Sequence, residues 1–319
     1  MSMNESYIIS KYLKPLSKNF RDSINLSDDA AILKLSVNKN LVVSVDNFIY
    51  GVHCPKFTNI SNAMTRAILT AVSDLSAMAA KPYCIFIAIN INNKLKLNIF
   101  KDIQKGIRRA LRITKTELAG GDICSSNGPI SFSVTVVGQG NKKFLLKRSG
   151  AKSKQLLCVT GNIGDAKIGL DMMLKKKKNN SNLLENFFVK KFLTPPFRNN
   201  IARDISKYVS SCIDISDGLL SDVSKLAKNS NCGLKIFFKN IPFSLKAKQM
   251  LKDKSISASN LINAGDDYEL AFSVSINNLK KVESIAKKNK TKISVIGVFT
   301  EENKILLDNK IFSGGYSHF

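Results

Sequence analysis

KYVSSCIDISDGLLSDVSKLAKNSNCG, residues 207–233, reads as a strand, a tight turn and a helix in immediate succession. The strand segment gives way to a turn at Ser216-Asp217-Gly218, and apolar residues then recur at helical spacing up to a glycine stop at Gly233. Ser216 is the expected N-cap. Backbone N–H groups exposed at such a helix start favour an anion.

The same alternation extends in both directions. Upstream, LVVSVD (41–46) reads as a strand, Asn62–Ala80 as a long helix stopped before Pro82, and YCIFIAINI (83–91) as a strand. A basic helix near Ile99–Ile113 follows, then strand-like TELAGGD (116–122) and ISFSVTVVGQG (130–140). KRSGAKSKQ (147–155) is polar and basic, as a linker would be. Beyond it come LLCVTG (156–161), a turn at Gly161–Asp165, and the strands LKIFF, YELAFSVS and KISVIGVF. The 319 residues suit two domains of about 150 each. Mixed strands and helices in both halves imply two α/β-type (mixed α+β) domains, 1–147 and 148–319.

No apolar run reaches the roughly 20 residues of a membrane-spanning helix. The start, MSMNESYIISKYLKPL, lacks the pattern of a secretory leader, so a cytoplasmic location is expected. Six dispersed cysteines without a C-x-x-C pair, and only two histidines, point to reduced buried thiols rather than disulfides or zinc. The net charge of +25 could serve nucleic acid, anionic lipid or phosphorylated small molecules. The lysines travel with asparagine and isoleucine, are spread widely, and lack interleaved aromatics, so compositional drift accounts for them better than a nucleic-acid interface.

The chain holds only 24 acidic residues, so their settings carry information. Asp28 and Asp29 stand in LSDDAAIL, Asp46 ends a strand, and Asp74 lies inside the apolar helix AILTAVSDLSAMAA. Asp122 ends AGGD, and Asp214 and Asp217 frame IDISDG. Singly, each also fits a turn or a helix start. Their recurrence at strand ends and beside glycines suits Mg²⁺, which takes few carboxylates together with substrate phosphates. Gly120-Gly121-Asp122 would admit a polyphosphate close to the backbone and offer it a metal ligand. Gly161-x-x-Gly164 is a packing turn rather than a dinucleotide fingerprint, and no P-loop or protein-kinase motif set occurs.

Taken in order, S-D-D-A-A, S-V-D, V-S-D-L-S-A-M, A-G-G-D, K-R-S-G-A, T-G-x-x-G-D, I-D-I-S-D-G-L-x-S-D, G-D-D-Y-E-L and G-Y-S-H-F resemble the thiamine-monophosphate kinase family, from about residue 24 to Phe319. That family shares a superfamily with aminoimidazole-ribonucleotide synthetase. The resemblance implies an N-terminal domain that pairs into a homodimer around a shared barrel, and an α/β C-terminal domain. It implies ATP-dependent phosphorylation of thiamine monophosphate to thiamine diphosphate, with several Mg²⁺ ions. The Mg²⁺ ligands would be Asp29, Asp46, Asp74, Asp122 and Asp214, assisted by Ser44 and the Val45 main chain, with Asp217 taking a further ion. Gly121, Asp122, Arg148 and Ser216 would meet ATP, no residue would act as general base, and His53, Asp266 and Phe312 would face the substrate. Three positions depart from the family pattern: Ser27 replaces the usual Gly, Asp266 the usual Glu, and Ile311-Phe312-Ser313-Gly314 stands where an aromatic is common. Selenophosphate synthetase would want a reactive Cys near the N-terminus and a hydrogenase-maturation relative a C-terminal Cys. The first Cys is Cys54 and the chain ends Ser-His-Phe.

Overall fold

The structure, a computed structural model, describes residues 5–26, 33, 38–92, 98–175 and 186–311. These fall into two compact units. The first runs to Leu75 and resumes over Ala80–Lys142; the second takes Ser76–Ala79 and everything from Lys143, a division ahead of the 147/148 junction read from the sequence. Ser76–Ala79 join the second unit where Leu146 N donates to Met78 O (3.2 Å).

The first unit is a four-stranded sheet in the order β1-β4-β2-β3: β1 (Lys39–Ile49), β2 (Lys81–Asn92), β3 (Glu117–Ser126) and β4 (Ser131–Asn141). β4 pairs antiparallel with β1 and β2, whereas β2 and β3 are parallel, joined through the helix Ile99–Thr114. The helix Ile60–Ala77 is buried along most of its length, with Ala63, Met64, Ile68, Ala71 and Leu75 inaccessible. It ends at Ala77 rather than Ala80, because Ala79 takes a left-handed backbone (φ 55°) and β2 begins at Lys81. Helical turns over Glu5–Ser17 contribute Ile8, Tyr12, Leu13 and Leu16 to the core, with Tyr12 stacked on Phe100, and Phe20 is buried just before the turn Arg21–Leu26.

The second unit is a seven-stranded sheet in the order β11-β10-β7-β9-β5-β8-β6. Its strands are β5 (Leu156–Thr160), β6 (Val209–Asp214), β7 (Gly233–Ile236), β8 (Leu270–Val274), β9 (Ile293–Thr300), β10 (Ile305–Leu307) and β11 (Lys310–Ile311). Strands β5 and β8 are largely apolar rather than alternating because both faces are covered. Leu157, Val159, Ile213 and Ala271 enter one core, while Cys158, Cys212, Leu270 and Phe272 enter the other. Four cysteines (54, 84, 158 and 212) are buried, Cys124 is exposed, and all six are free thiols. Burial pushes the Cys84 and Cys158 thiols up to about 12.

Gly233 is not the helix stop expected of it. The helix Leu219–Asn229 is terminated through Asn231 in a left-handed conformation (φ 51°), and Gly233 opens β7 because a Cβ there would lie 1.6 Å from Glu302 O. Another glycine sets a helix contact. A Cβ on Gly169, in the helix Asp165–Lys175, would lie 2.1 Å from Phe188 O of the helix Phe187–Leu193. Gly169→Ala should therefore force these helices apart and lower stability by about 1–3 kcal/mol, seen as a lower urea midpoint at unchanged m-value.

Candidate functional site

Strand alternation puts Val42, Ser44, Asp46 and Phe48 on one face of β1, and Val42 and Phe48 bury that face. The helix Ile60–Ala77 presents Asp74 to it. Ser44 Oγ donates to Asp74 Oδ2 (2.5 Å). Burial, and then the negative charge of Asp74, push the Asp46 carboxyl up to about 6. Asp is a poor helix-interior residue without a partner, and Ser44 supplies one.

Asp122 sits elsewhere on the same sheet. Register runs Asp46–Val134–Ile87–Gly121 along one row and Asn47–Ser133–Ala88–Asp122 along the next. Asp122 therefore projects from the face opposite Asp46, at the other edge of the sheet, about three strand spacings or roughly 14 Å away. Gly121 must be glycine, since a Cβ would lie 2.0 Å from Ile87 O. Gly120, Gly121 and Asp122 border a cleft of about 460 Å³ whose walls are apolar, among them Ile9, Leu13 and Phe86. His53 lies in the turn after β1, where Nδ1 accepts from Ile49 N (2.8 Å), which places the proton of the neutral ring on Nε2. Its carbonyl accepts from the buried Arg66 (3.3 Å).

In the second unit, Asp214 is buried at the end of β6. The loop that follows is organised by a residue to which sequence reading gave no role. Asp222, buried in the first turn of the next helix, accepts from both Ser216 N and Asp217 N through Oδ2 (2.9 Å each). These two N–H groups therefore belong to Asp222, and the helix itself starts beyond them, at Leu219. The helix N-cap is Gly218 (φ 115°), not Ser216, since the helix begins at Leu219. Lys225 bridges Asp217 Oδ2 and Asp222 Oδ1, the latter at 2.7 Å. Burial alone would lower the Lys225 ammonium, but the two carboxylates outweigh it and hold its pKa above the usual value. Asp266 is brought alongside, its N–H donating to Ser216 O (2.9 Å), and its left-handed backbone (φ 75°) is uncommon for a non-glycine. Gly265 permits the approach, because a Cβ there would lie 2.0 Å from Ser216 O. Arg148 is exposed on the segment whose neighbour, Lys147, accepts through its carbonyl from Cys212 N (2.9 Å).

Beneath this loop lie further buried carboxylates. Glu269 receives Arg198 Nε at Oε2 and Arg198 Nη2 at Oε1, both at 2.6 Å, together with Thr160 Oγ1 (2.6 Å). Asp267 accepts from Gly164 N (2.8 Å), and burial holds its carboxyl well above the usual range despite that bond. Asp165 accepts from Ser244 Oγ (2.6 Å). The Gly161–Gly164 turn is thus a packing device: both glycines have positive φ (61° and 82°), and a Cβ on Gly161 would lie 1.9 Å from Glu269 Oε1. The only sequence signal for this group was its density of acids in G-D-D-Y-E-L.

The profile of AIR synthase related protein, N-terminal domain, matches residues 27–139, and that of the C-terminal domain matches residues 155–308. The thiamine-monophosphate kinase of Buchnera aphidicola subsp. Schizaphis graminum (strain Sg) is 33% identical over 327 residues, covering 100% of both chains. The chain belongs to the thiamine-monophosphate kinase family. The Escherichia coli K12 member is 27% identical over 277 residues, covering 86% of this chain and 83% of its own. Among solved structures, the Stenotrophomonas maltophilia K279a thiamine-monophosphate kinase superposes with a TM-score of 0.82 at 25% identity, covering 90% and 91% of the two chains. AaThiL complexed with AMPPCP and TMP gives 0.78 at 26% identity, covering 96% and 98%. The hydrogenase maturation protein HypE of E. coli, at 15% identity and 0.74, shares the fold alone.

Of the residues expected to serve this kinase family, Ser44, Asp46 and Asp74 converge, as do Asp214, Ser216, Asp217 and Asp266 on one loop system. Asp122 does not join Asp46. Asp29 and Phe312 lie outside the described residues. Among the described residues, no three His, Cys, Asp or Glu side chains converge as a ready-made metal cluster. Mg²⁺ does not require one, because it takes one or two carboxylates and completes its shell with water and phosphate oxygens. Ser44, Asp46 and Asp74 offer oxygen alone, and one carboxylate raises the pKa of the other, so a divalent cation fits this pair.

The raised Asp46 pKa has a consequence for stability without metal. A carboxyl lifted from 3.8 to about 6 on folding withdraws stability as pH rises through that interval. Asp46→Asn removes that loss. In EDTA, the variant should be more stable than the parent above pH 6, by roughly 1–3 kcal/mol, with the gap closing below pH 4. Thermal melts across pH measure this; a gap that persists at pH 3.5 would contradict it.

Proposed function

We propose that the chain transfers the γ-phosphoryl group of ATP to thiamine monophosphate, yielding thiamine diphosphate, by direct in-line transfer assisted by Mg²⁺. The observation that carries this is the full-length likeness to thiamine-monophosphate kinases, one of which is solved with AMPPCP and TMP. Bound Mg²⁺ would supply the positive charge that lets two polyanions approach.

The chain's own residues would act as follows. Asp46 and Asp74 would hold Mg²⁺, with the Ser44 hydrogen bond fixing the Asp74 rotamer and the Val45 main chain alongside. Asp29 and Asp214 would also be Mg²⁺ ligands, Asp122, on the opposite face, would ligate an ion apart from the Asp46 pair, and Asp217 would take a further ion. Gly121 would let phosphate approach the β3 backbone, where any side chain would strike β2. Because the Ser216 N–H is committed to Asp222, Ser216 would meet ATP through its hydroxyl. Arg148, exposed, would reach the nucleotide as a cation. His53, through Nε2, and Asp266 would face thiamine monophosphate, with Phe312 the aromatic for its rings.

No general base is needed, because a phosphate monoester has a second pKa near 6 and is largely dianionic at neutral pH. A homodimer built on the N-terminal unit belongs to the same proposal. Edge strand β1 exposes Leu41, Val43 (56%) and Val45 (59%) on one face, an apolar row that a second copy would cover. Among the described residues no helix is long and apolar enough to cross a membrane, and the reaction is assigned to the cytoplasm.

Incubation with ATP, Mg²⁺ and thiamine monophosphate should yield ADP and thiamine diphosphate in equal amounts, and free thiamine should yield neither. Asp122→Asn should lower kcat by about 100-fold or more with the fold retained by circular dichroism. Near-parental turnover in that variant would remove Asp122 from the site, and a labelled phosphoprotein trapped by rapid quench would overturn direct transfer.

A further inference from the structure

The Lys225 bridge has two unlike arms. Asp222 is the fixed arm: its side chain is 1% exposed, and it is saturated by Ser216 N, Asp217 N and Lys225 Nζ. Asp217 is the open arm, its side chain 33% exposed, tied to a lysine that is itself 36% exposed. Ion pairs with this much solvent access are weak and exchange readily. One helical turn links Lys225 to Asp222, so the ammonium keeps a partner when it leaves Asp217.

We infer that Lys225 is a resident counter-ion of Asp217 that a divalent cation must displace, so that this lysine sets the affinity of Asp217 for the ion. The inference rests on the reading above that Asp217 takes a metal. Two effects act in the same direction. The ammonium competes for Asp217 Oδ2, and a positive charge anchored on Asp222 repels an incoming dication. The Asp222 contacts to Ser216 N and Asp217 N hold the loop whether or not Lys225 is present, so loss of the lysine leaves the carboxylate of Asp217 presented in the same place.

The test is Mn²⁺ binding to the full chain without nucleotide, followed by the electron paramagnetic resonance signal of free Mn²⁺, in the parent, Lys225→Met, Asp217→Asn and the double variant. Lys225→Met should tighten the affected site about three- to ten-fold, and the gain should vanish in the double variant. Lys225→Arg, which keeps the charge, should bind as the parent does. Unchanged or weaker Mn²⁺ binding in Lys225→Met, with Asp217→Asn weakening it, overturns the role of Lys225 and leaves the metal reading of Asp217 intact. Indifference of Mn²⁺ binding to Asp217→Asn in both backgrounds overturns the two together. If Lys225→Met does not fold, Lys225→Gln removes the charge while keeping a hydrogen-bond donor and is read in the same way.

Discussion

The bidentate pairing of Glu269 with Arg198 is the interaction on which the second unit turns. Glu269 is almost fully buried, and a carboxylate in that position is costly unless its oxygens are filled. Arg198 takes both oxygens and Thr160 adds a third donor, while Thr160 Oγ1 in turn accepts from Leu270 N (2.8 Å). The backbone of Glu269 also reaches outward: its carbonyl accepts from Ile215 N, and the Ile215 carbonyl accepts from Tyr268 N (2.8 Å each). One residue therefore anchors the Gly161 turn on one side and the 214–217 loop on the other. Removal of either charge would leave the other buried and unpaired, which is why such pairs are far costlier to break than to replace.

The elements were legible in the sequence where a single signal dominated. β1, β2 and β4 are β-branched and apolar, the helix Ile60–Ala77 is rich in Ala and free of Gly and Pro, and the structure places all of them within a few residues of expectation. The stop signals were less reliable. Gly233 looked like a helix terminator because glycine often is one, but here it is required by the close passage of Glu302 O, a contact far away in sequence. The helices Phe187–Leu193, Leu245–Lys252 and Ala258–Asn263 are short and carry too little periodicity to be read from the chain alone.

The candidate site divided along the same line. Asp46 and Asp74 could be singled out because an acid at a strand end or inside an apolar helix needs a partner, but only the packing shows that Ser44 joins them. Asp222 escaped notice because an Asp in the first turn of a helix is ordinary. Its function depends on the chain bending back so that one carboxylate oxygen meets two successive N–H groups. The same bend commits the N–H groups of Ser216 and Asp217: local sequence shows that such groups need partners, but not which neighbouring acid has already taken them.

The two acidic pairs illustrate opposite solutions to one electrostatic problem. Asp217 and Asp222 share a lysine that offsets their mutual repulsion, although burial still holds the Asp222 carboxyl above the usual range. Asp46 and Asp74 meet a neutral hydroxyl instead, and burial, with the charge of Asp74 added to it, pushes the Asp46 carboxyl up to about 6. A site that must accept a cation gains from the second arrangement, because relief of repulsion adds to the affinity for the ion. At Asp217 the lysine opposes that gain, while Asp222 holds the loop through Ser216 N and Asp217 N. The cost falls on the stability of the metal-free chain, and it falls where strained electrostatics are expected in an enzyme, at residues proposed to bind an ion.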